Sequence, residues 1–223
     1  MKARFEEAQR RMVLLGAIIT GGIAMAAPTA SAATFSARET HRGLVVDRAD
    51  GTTGWLTTNG WFRRSGQPAL LYREGGVTVA GVWQSGPEDV VVRSGTTEKA
   101  PVVGHIVPSW NNGELRLTIE PAGGAAVQTT VFERVSGGGT ATLDRETSTS
   151  IALEGTYRAT LHATGGGDAG WLGVDIDREG GTRFSGDLPA AIPPALAAAA
   201  AAAVEGEVDL IYGNVVDVPR LRR

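Results

Sequence analysis

The chain has 223 residues, 42% hydrophobic and 20% charged, which suits one large globular domain or two small ones and excludes disorder throughout. It has no cysteine, so a disulfide framework, a thiol nucleophile and a cysteine-based metal site are excluded. Its formal net charge of −3 lacks the basic excess that a nucleic-acid partner demands.

The N-terminus has the form of a cleaved export signal over residues 1–32. Lys2, Arg4, Arg10 and Arg11 make a basic start, Met12 to Ala27 an apolar run, and Ala30-Ser31-Ala32 a small-residue cleavage site. The run is too short and glycine-rich for a membrane span, which needs ~20 apolar residues, so no stable span is expected after cleavage. The sequence predicts a protein secreted or placed in the cell envelope. Arg10-Arg11-Met12-Val13-Leu14 resembles a twin-arginine signal, while two arginines in a plain basic region fit the Sec route equally well. Cleavage removes four basic and two acidic residues and leaves a net charge of −5.

Residues 33–42 read as an irregular lead-in. From Leu44 to Val135 come short β-branched or aromatic runs, separated by turn residues such as Asp50-Gly51, Gly75-Gly76 and Asn111-Asn112-Gly113. Eight strands are predicted: 44–47, 55–62, 69–72, 77–83, 89–93, 102–107, 114–120 and 127–135. In one of them Leu115, Leu117 and Ile119 share a face opposite Arg116, Thr118 and Glu120, the period of two that a half-buried strand requires. The 31 glycines fit many turns. Residues 137–150, rich in Gly, Ser and Thr, read as a linker. Strands resume at 156–163, 171–177, 182–188 and 207–212. The sequence therefore predicts an all-β protein: an eight-stranded antiparallel barrel or sandwich over 40–136, followed by a smaller β unit over 151–218.

Two segments recur between these parts. Gly54-Trp55-Leu56 returns as Gly170-Trp171-Leu172, and Arg73-Glu74-Gly75-Gly76 as Arg178-Glu179-Gly180-Gly181. The recurrence reads as a partial internal repeat, with Glu207–Ile211 a weaker third match. Each Gly-Gly pair fits a tight hairpin turn better than an anion cradle. Between the last two strands, Pro193-Pro194, an alanine run and Gly206 predict one short helix at about 194–204, acting as a spacer or lid against the sheet.

Catalytic signatures are missing, which argues against an enzyme. There is no Gly-x-Ser-x-Gly elbow. His41, His105 and His162 lie far apart, with His105 expected in the core and His162 at the surface. Asp175 and Asp177 share one strand face, as a carboxylate pair would, but a solvated acidic edge is the commoner meaning. No loop has calcium spacing, and no catalytic residue, metal ligand or cofactor is predicted.

Ser94-Gly95-Thr96-Thr97-Glu98 followed by Val103-Gly104-His105 resembles the closing strands of avidin-type barrels. That family is eight-stranded and binds biotin. The likeness covers about a dozen residues; Ile106 stands where the family has Asp, and its polar first-strand motif is not found near Leu44. No binding residue carries over.

The remaining signal is aromatic. On one face of the second predicted strand lie Trp55, Thr57, Asn59 and Trp61, a spacing suited to stacking against a sugar or flat ligand. Trp55, Asn59, Trp61 and Trp171 are therefore the candidate binding residues, with core packing of the rings as the ordinary alternative. The expected function is a non-enzymatic exported protein that binds a glycan, an envelope component or a partner protein, or has a structural role there. The alternatives are a lipocalin- or avidin-like barrel holding a small apolar molecule, and below that a polysaccharide hydrolase.

Overall fold

A computed structural model describes residues 33–40, 43–59, 65–85, 89–136, 141–145, 153–179 and 181–212. The predicted signal peptide, His41, Trp61 and the Arg-rich tail lie outside the described residues. The strands are β1 (Ala33–Thr40), β2 (Gly43–Arg48), β3 (Thr53–Thr58), β4 (Leu70–Glu74), β5 (Val77–Gln84), β6 (Val90–Arg93), β7 (Val102–Asn111), β8 (Glu114–Pro121), β9 (Val127–Thr129), β10 (Glu133–Arg134), β11 (Gly155–Ala163), β12 (Asp168–Ile176) and β13 (Thr182–Leu188). One helix, α1, follows at Pro194–Tyr212.

The chain is all-β, as expected, but the architecture differs from eight strands plus a smaller unit. Each strand from β1 to β9 pairs antiparallel with the next, and β11, β12 and β13 do the same. Two further pairings close the ring. β13 pairs with β1, Leu188 opposite Ala33, and β9 pairs with β11, Thr129 opposite Leu161. The result is a closed twelve-stranded barrel, with β10 as an extra strand beside the start of β11. Among the described residues, each of the twelve wall strands is thereby paired on both sides, the arrangement that removes sheet edges. The eight-strand count that the avidin resemblance implies is likewise replaced by twelve.

Where the sequence predicts an irregular lead-in at 33–42, β1 occupies Ala33–Thr40. Phe35 and Ala37 are buried while Thr34, Ser36 and Arg38 are exposed, so β1 alternates like any wall strand. Its apolar residues are few, and its partner β13 lies about 150 residues further along the chain. Elsewhere the period-two pattern predicts orientation correctly. Leu115, Leu117 and Ile119, then Tyr157, Ala159 and Leu161, then Leu172, Val174 and Ile176 all point inward and are buried. The outer wall carries exposed Arg38, Arg73, Arg158, Asp175 and Arg183. These charges interrupt the continuous apolar outer band that a lipid-facing barrel needs. Among the described residues no helix is long and apolar enough to cross a membrane.

The lumen is filled by α1. Its residues from Ala195 to Glu205 are buried on every side, and it touches β2, β3, β6, β7, β8 and β13 around the ring. A spacer or lid would bury one stripe, so that expectation is overturned. The choice of alanine follows from width. Eight strands leave an interior that wall side chains fill, and sixteen leave a channel. Twelve leave room for a helix, but wall residues such as Tyr72, Ile106 and Leu117 already project into it. Small side chains on the helix fit the remaining gap. The one large residue near its start, Leu196, sits against Gly104 of β7, where an added Cβ would approach Leu196 Cδ2 to 2.7 Å.

The helix also continues through Gly206, where a stop was expected, and takes in 207–212, which were read as a strand. Burial in the lumen outweighs the ~1 kcal/mol penalty of an interior glycine. The sequence at 204–212 is ambiguous by spacing: Val208, Leu210 and Tyr212 alternate, while Val204, Val208 and Ile211 repeat at helical intervals. At the N-terminus, Leu196 and Ala197 N–H groups donate to the Pro193 carbonyl at 2.9 and 3.0 Å.

The two barrel ends differ. One is capped by the connection from β9 to β11, which buries Phe132, Leu143 and Leu153. The middle of the stretch read as a linker is pinned there: Leu143 N–H donates to Phe132 O, and Arg145 N–H to Gly113 O. At the same end Glu207 of α1 accepts from Trp110 Nε1 at 2.5 Å and Arg145 Nη2 at 2.8 Å, with the guanidinium 4.8 Å from the Trp110 ring. The opposite end, where α1 begins, carries the tight turns between β2 and β3 and between β4 and β5.

Candidate functional site

That opposite end contains a cavity of about 300 Å³. Its walls come from β1, the end of β2, the end of β13 and the first turn of α1. Phe35, Val46, Leu188, Ile192, Pro194 and Ala197 give it an apolar lining, and Thr34, Arg48 and Asp50 supply polar groups. The shape has a structural origin. Pro189 to Pro193 must turn the chain from the wall into the lumen, and the helix that follows presents Ala197, too small to fill the space beside Phe35 and Val46. A concave, mostly apolar pocket with few polar groups is the usual form of a small-molecule site, at the small end of the normal range.

The polar side of the cavity is organised by Arg48. Its Nη2 lies 3.2 Å from Glu74 Oε1 on β4. Its Nε is buried and has no hydrogen-bond partner among the described residues. The Tyr72 hydroxyl is also buried, with the Glu74 carboxylate beside it. The Tyr72 ring lies over Gly54 of β3, the register partner of cavity-lining Val46, so closely that any Cβ on Gly54 would collide with the phenol. Burial pushes the Tyr72 hydroxyl up to about 12, with Arg48 opposing and Glu74 adding to the shift. It is a neutral donor at any ordinary pH. At the rim, the Thr52 hydroxyl and N–H both donate to Asp50 Oδ1 and hold its carboxyl below the usual range.

The residues singled out by sequence fall elsewhere. Trp55 faces outward on β3 and is 37% exposed. Trp171 also faces outward, on β12, four strands around the ring, or about 19 Å along the wall. Its ring packs near Gly173 and lies 4.0 Å from the Arg158 guanidinium, so one face is already occupied. Asn59 Nδ2 donates to the Pro68 carbonyl at 2.9 Å and pins the loop after β3. Trp61 lies outside the described residues. The structure therefore does not bring Trp55, Asn59 and Trp171 together into one surface. The two recurrent segments also differ in setting: the turn at Gly75-Gly76 is at the cavity end, and the turn after Asp177 at the capped end.

Other candidates have ordinary partners. His105 is half-exposed on the outer wall, 3.4 Å from Asp89, rather than in the core; Gly104 and Ile106 take the inward positions on either side of it. His162 lies 3.1 Å from Asp168. Asp175 accepts from Thr156 Oγ1 at 3.1 Å, and Asp177 accepts from the N–H groups of Glu179 and Gly181 to close its turn. The cavity residues escaped sequence reading because Thr34, Arg48 and Pro194 lie on three distant segments. The one local signal was the alternation of Phe35 and Ala37 with Ser36 and Arg38. Comparison with known protein families, curated proteins and solved structures gives no match.

Proposed function

We propose that the protein is an exported, non-enzymatic binding protein that holds a small, largely apolar molecule at the open end of its barrel. The observation that carries this reading is the apolar cavity of about 300 Å³, with Thr34, Arg48 and Asp50 as its polar lining. Export rests on the N-terminal sequence pattern. The barrel and its helix act as a rigid frame, and the ligand enters beside the β2–β3 turn. Native mass spectrometry of the full chain from its own host tests this. A small molecule should be retained, and Ala190→Trp, at the exposed rim, should release it while the circular dichroism stays unchanged. Retention undiminished in that variant would place the ligand elsewhere.

A second reading has its own observation. Trp55 faces Arg73 across β3 and β4, and the next strand presents Val77, 65% exposed, and Val79, 39% exposed. This outward strip supports contact with a glycan, an envelope component or a protein partner. Trp55→Ser should then abolish pull-down of that partner and leave the cavity ligand bound; an unaltered pull-down would remove the strip from the contact.

A further inference from the structure

We infer that the outward strip, on the second reading above, takes an acidic polysaccharide. Its sugar rings stack on Trp55, and its carboxylates meet Arg73 on one side and Arg38 with Arg183 on the other. Register places these residues. Arg73 lies opposite Trp55, Trp55 opposite Val45, Val45 opposite Arg38 and Arg38 opposite Arg183, all on the outer face of the wall. The row runs from β4 through β3, β2 and β1 to β13 and spans about 19 Å at the usual spacing between strands. Trp55 and the three arginines are exposed.

Charge without a partner sets the row apart. Among the described residues the side chains of Arg38, Arg73 and Arg183 have no ion pair or hydrogen bond, while every other described arginine has a carboxylate, a carbonyl or a ring against it. The nearby carboxylates are turned elsewhere: Glu74 to Arg48, Asp47 to Thr53 Oγ1, and Asp175, opposite Arg183, to Thr156 Oγ1. Like charges directly opposite in a sheet are destabilising, so Arg38 against Arg183 has a cost that a bridging anion would offset. A guanidinium fork matches a carboxylate with two hydrogen bonds, and the exposed indole between the arginines offers a flat face to a ring. The wall strands are paired on both sides, so a peptide cannot add as a further strand. Three basic residues also fall short of the about four to eight that hold a protein on an anionic membrane.

Calorimetric titration of the full chain with polygalacturonate, its fully methyl-esterified form and polyglutamate tests this. Polygalacturonate should bind, with affinity falling as salt rises, because exposed charges are screened. The ester keeps the rings and loses the charge; polyglutamate keeps the charge and lacks the rings. Each should bind about fivefold or more weaker. Arg38→Gln combined with Arg183→Gln should weaken polygalacturonate binding by about fivefold or more, while the urea midpoint stays level or rises as the like-charge contact is removed. A lowered midpoint with unchanged binding would overturn the part given to this pair. Equal binding of the ester would overturn the acidic class, and equal binding of polyglutamate the polysaccharide, with the strip still a contact surface in both cases. Binding by none of the three overturns the inference, and the strip reading is then judged separately by the Trp55→Ser pull-down.

Discussion

At Gly54 a missing methyl group decides where a tyrosine goes. Tyr72 can lie across β3 because nothing projects from Gly54. Gly54→Ala should therefore overpack the wall and cost about 1–3 kcal/mol, read from the urea midpoint. The same burial gives Tyr72 a pH signature. Its ordinary value is 10.0 and its folded value about 12, so the folded state holds the proton more tightly. Stability is fully present below pH ~10 and falls as pH rises towards 12, by at most ~2–3 kcal/mol. In Tyr72→Phe this part of the alkaline slope should vanish; a slope equal to that of the unaltered protein would contradict the assignment. Residue orientation was largely legible beforehand, because period-two alternation says which side chains share a face. What alternation leaves open is which inward residues meet. Gly54 and Tyr72 lie on different strands, and their contact follows from register.

For the helix, the decisive property is that no face is free. Nineteen residues at 1.5 Å each span about 28 Å, and β7, ten residues tilted by ~40°, rises about 25 Å, so α1 runs the height of the wall. Ala199→Leu should cost about 1–3 kcal/mol or more, because neighbouring wall side chains already fill the space. A lid packed on one face would accept leucine on its free side. Guanidinium unfolding of Ala199→Leu beside Ala198→Leu and Ala200→Leu checks this, and a tolerant position among the three would show a face not enclosed. The far end of α1 is tied by Glu207 to Trp110 and Arg145. Glu207→Ala should leave two donors unmatched in a largely buried site, at about 1–3 kcal/mol, and shift Trp110 emission to longer wavelength. The helix was visible in the sequence as an alanine run after Pro193-Pro194. Its length was not, since Gly206 is a stop signal on local propensity, and its location was not, since alanine patterning has no apolar stripe to read.

Across the whole molecule, strands from both sides of the Gly/Ser/Thr-rich stretch at 137–150 form one ring. The all-β class and most strand positions were legible. The count of twelve was not, because closure depends on pairings between β1 and β13 and between β9 and β11, which no local pattern records. Such long-range pairing predicts slow folding, on the scale of milliseconds to seconds or longer. Stopped-flow refolding monitored by tryptophan emission should show it. The repeated Gly-Trp-Leu triplet likewise described direction well: in both places Trp points out and Leu in.

The order in which the parts emerge during synthesis has a consequence of its own. The core of this barrel is the last of its described elements to leave the ribosome. Until α1 is available, the inward leucines and valines of twelve strands have nothing to close upon. The wall therefore cannot complete its core before α1 emerges, and the final packing comes in one late step. A stalled chain lacking 193–223 should bind chaperones persistently and resist refolding, even though every strand of the wall is present.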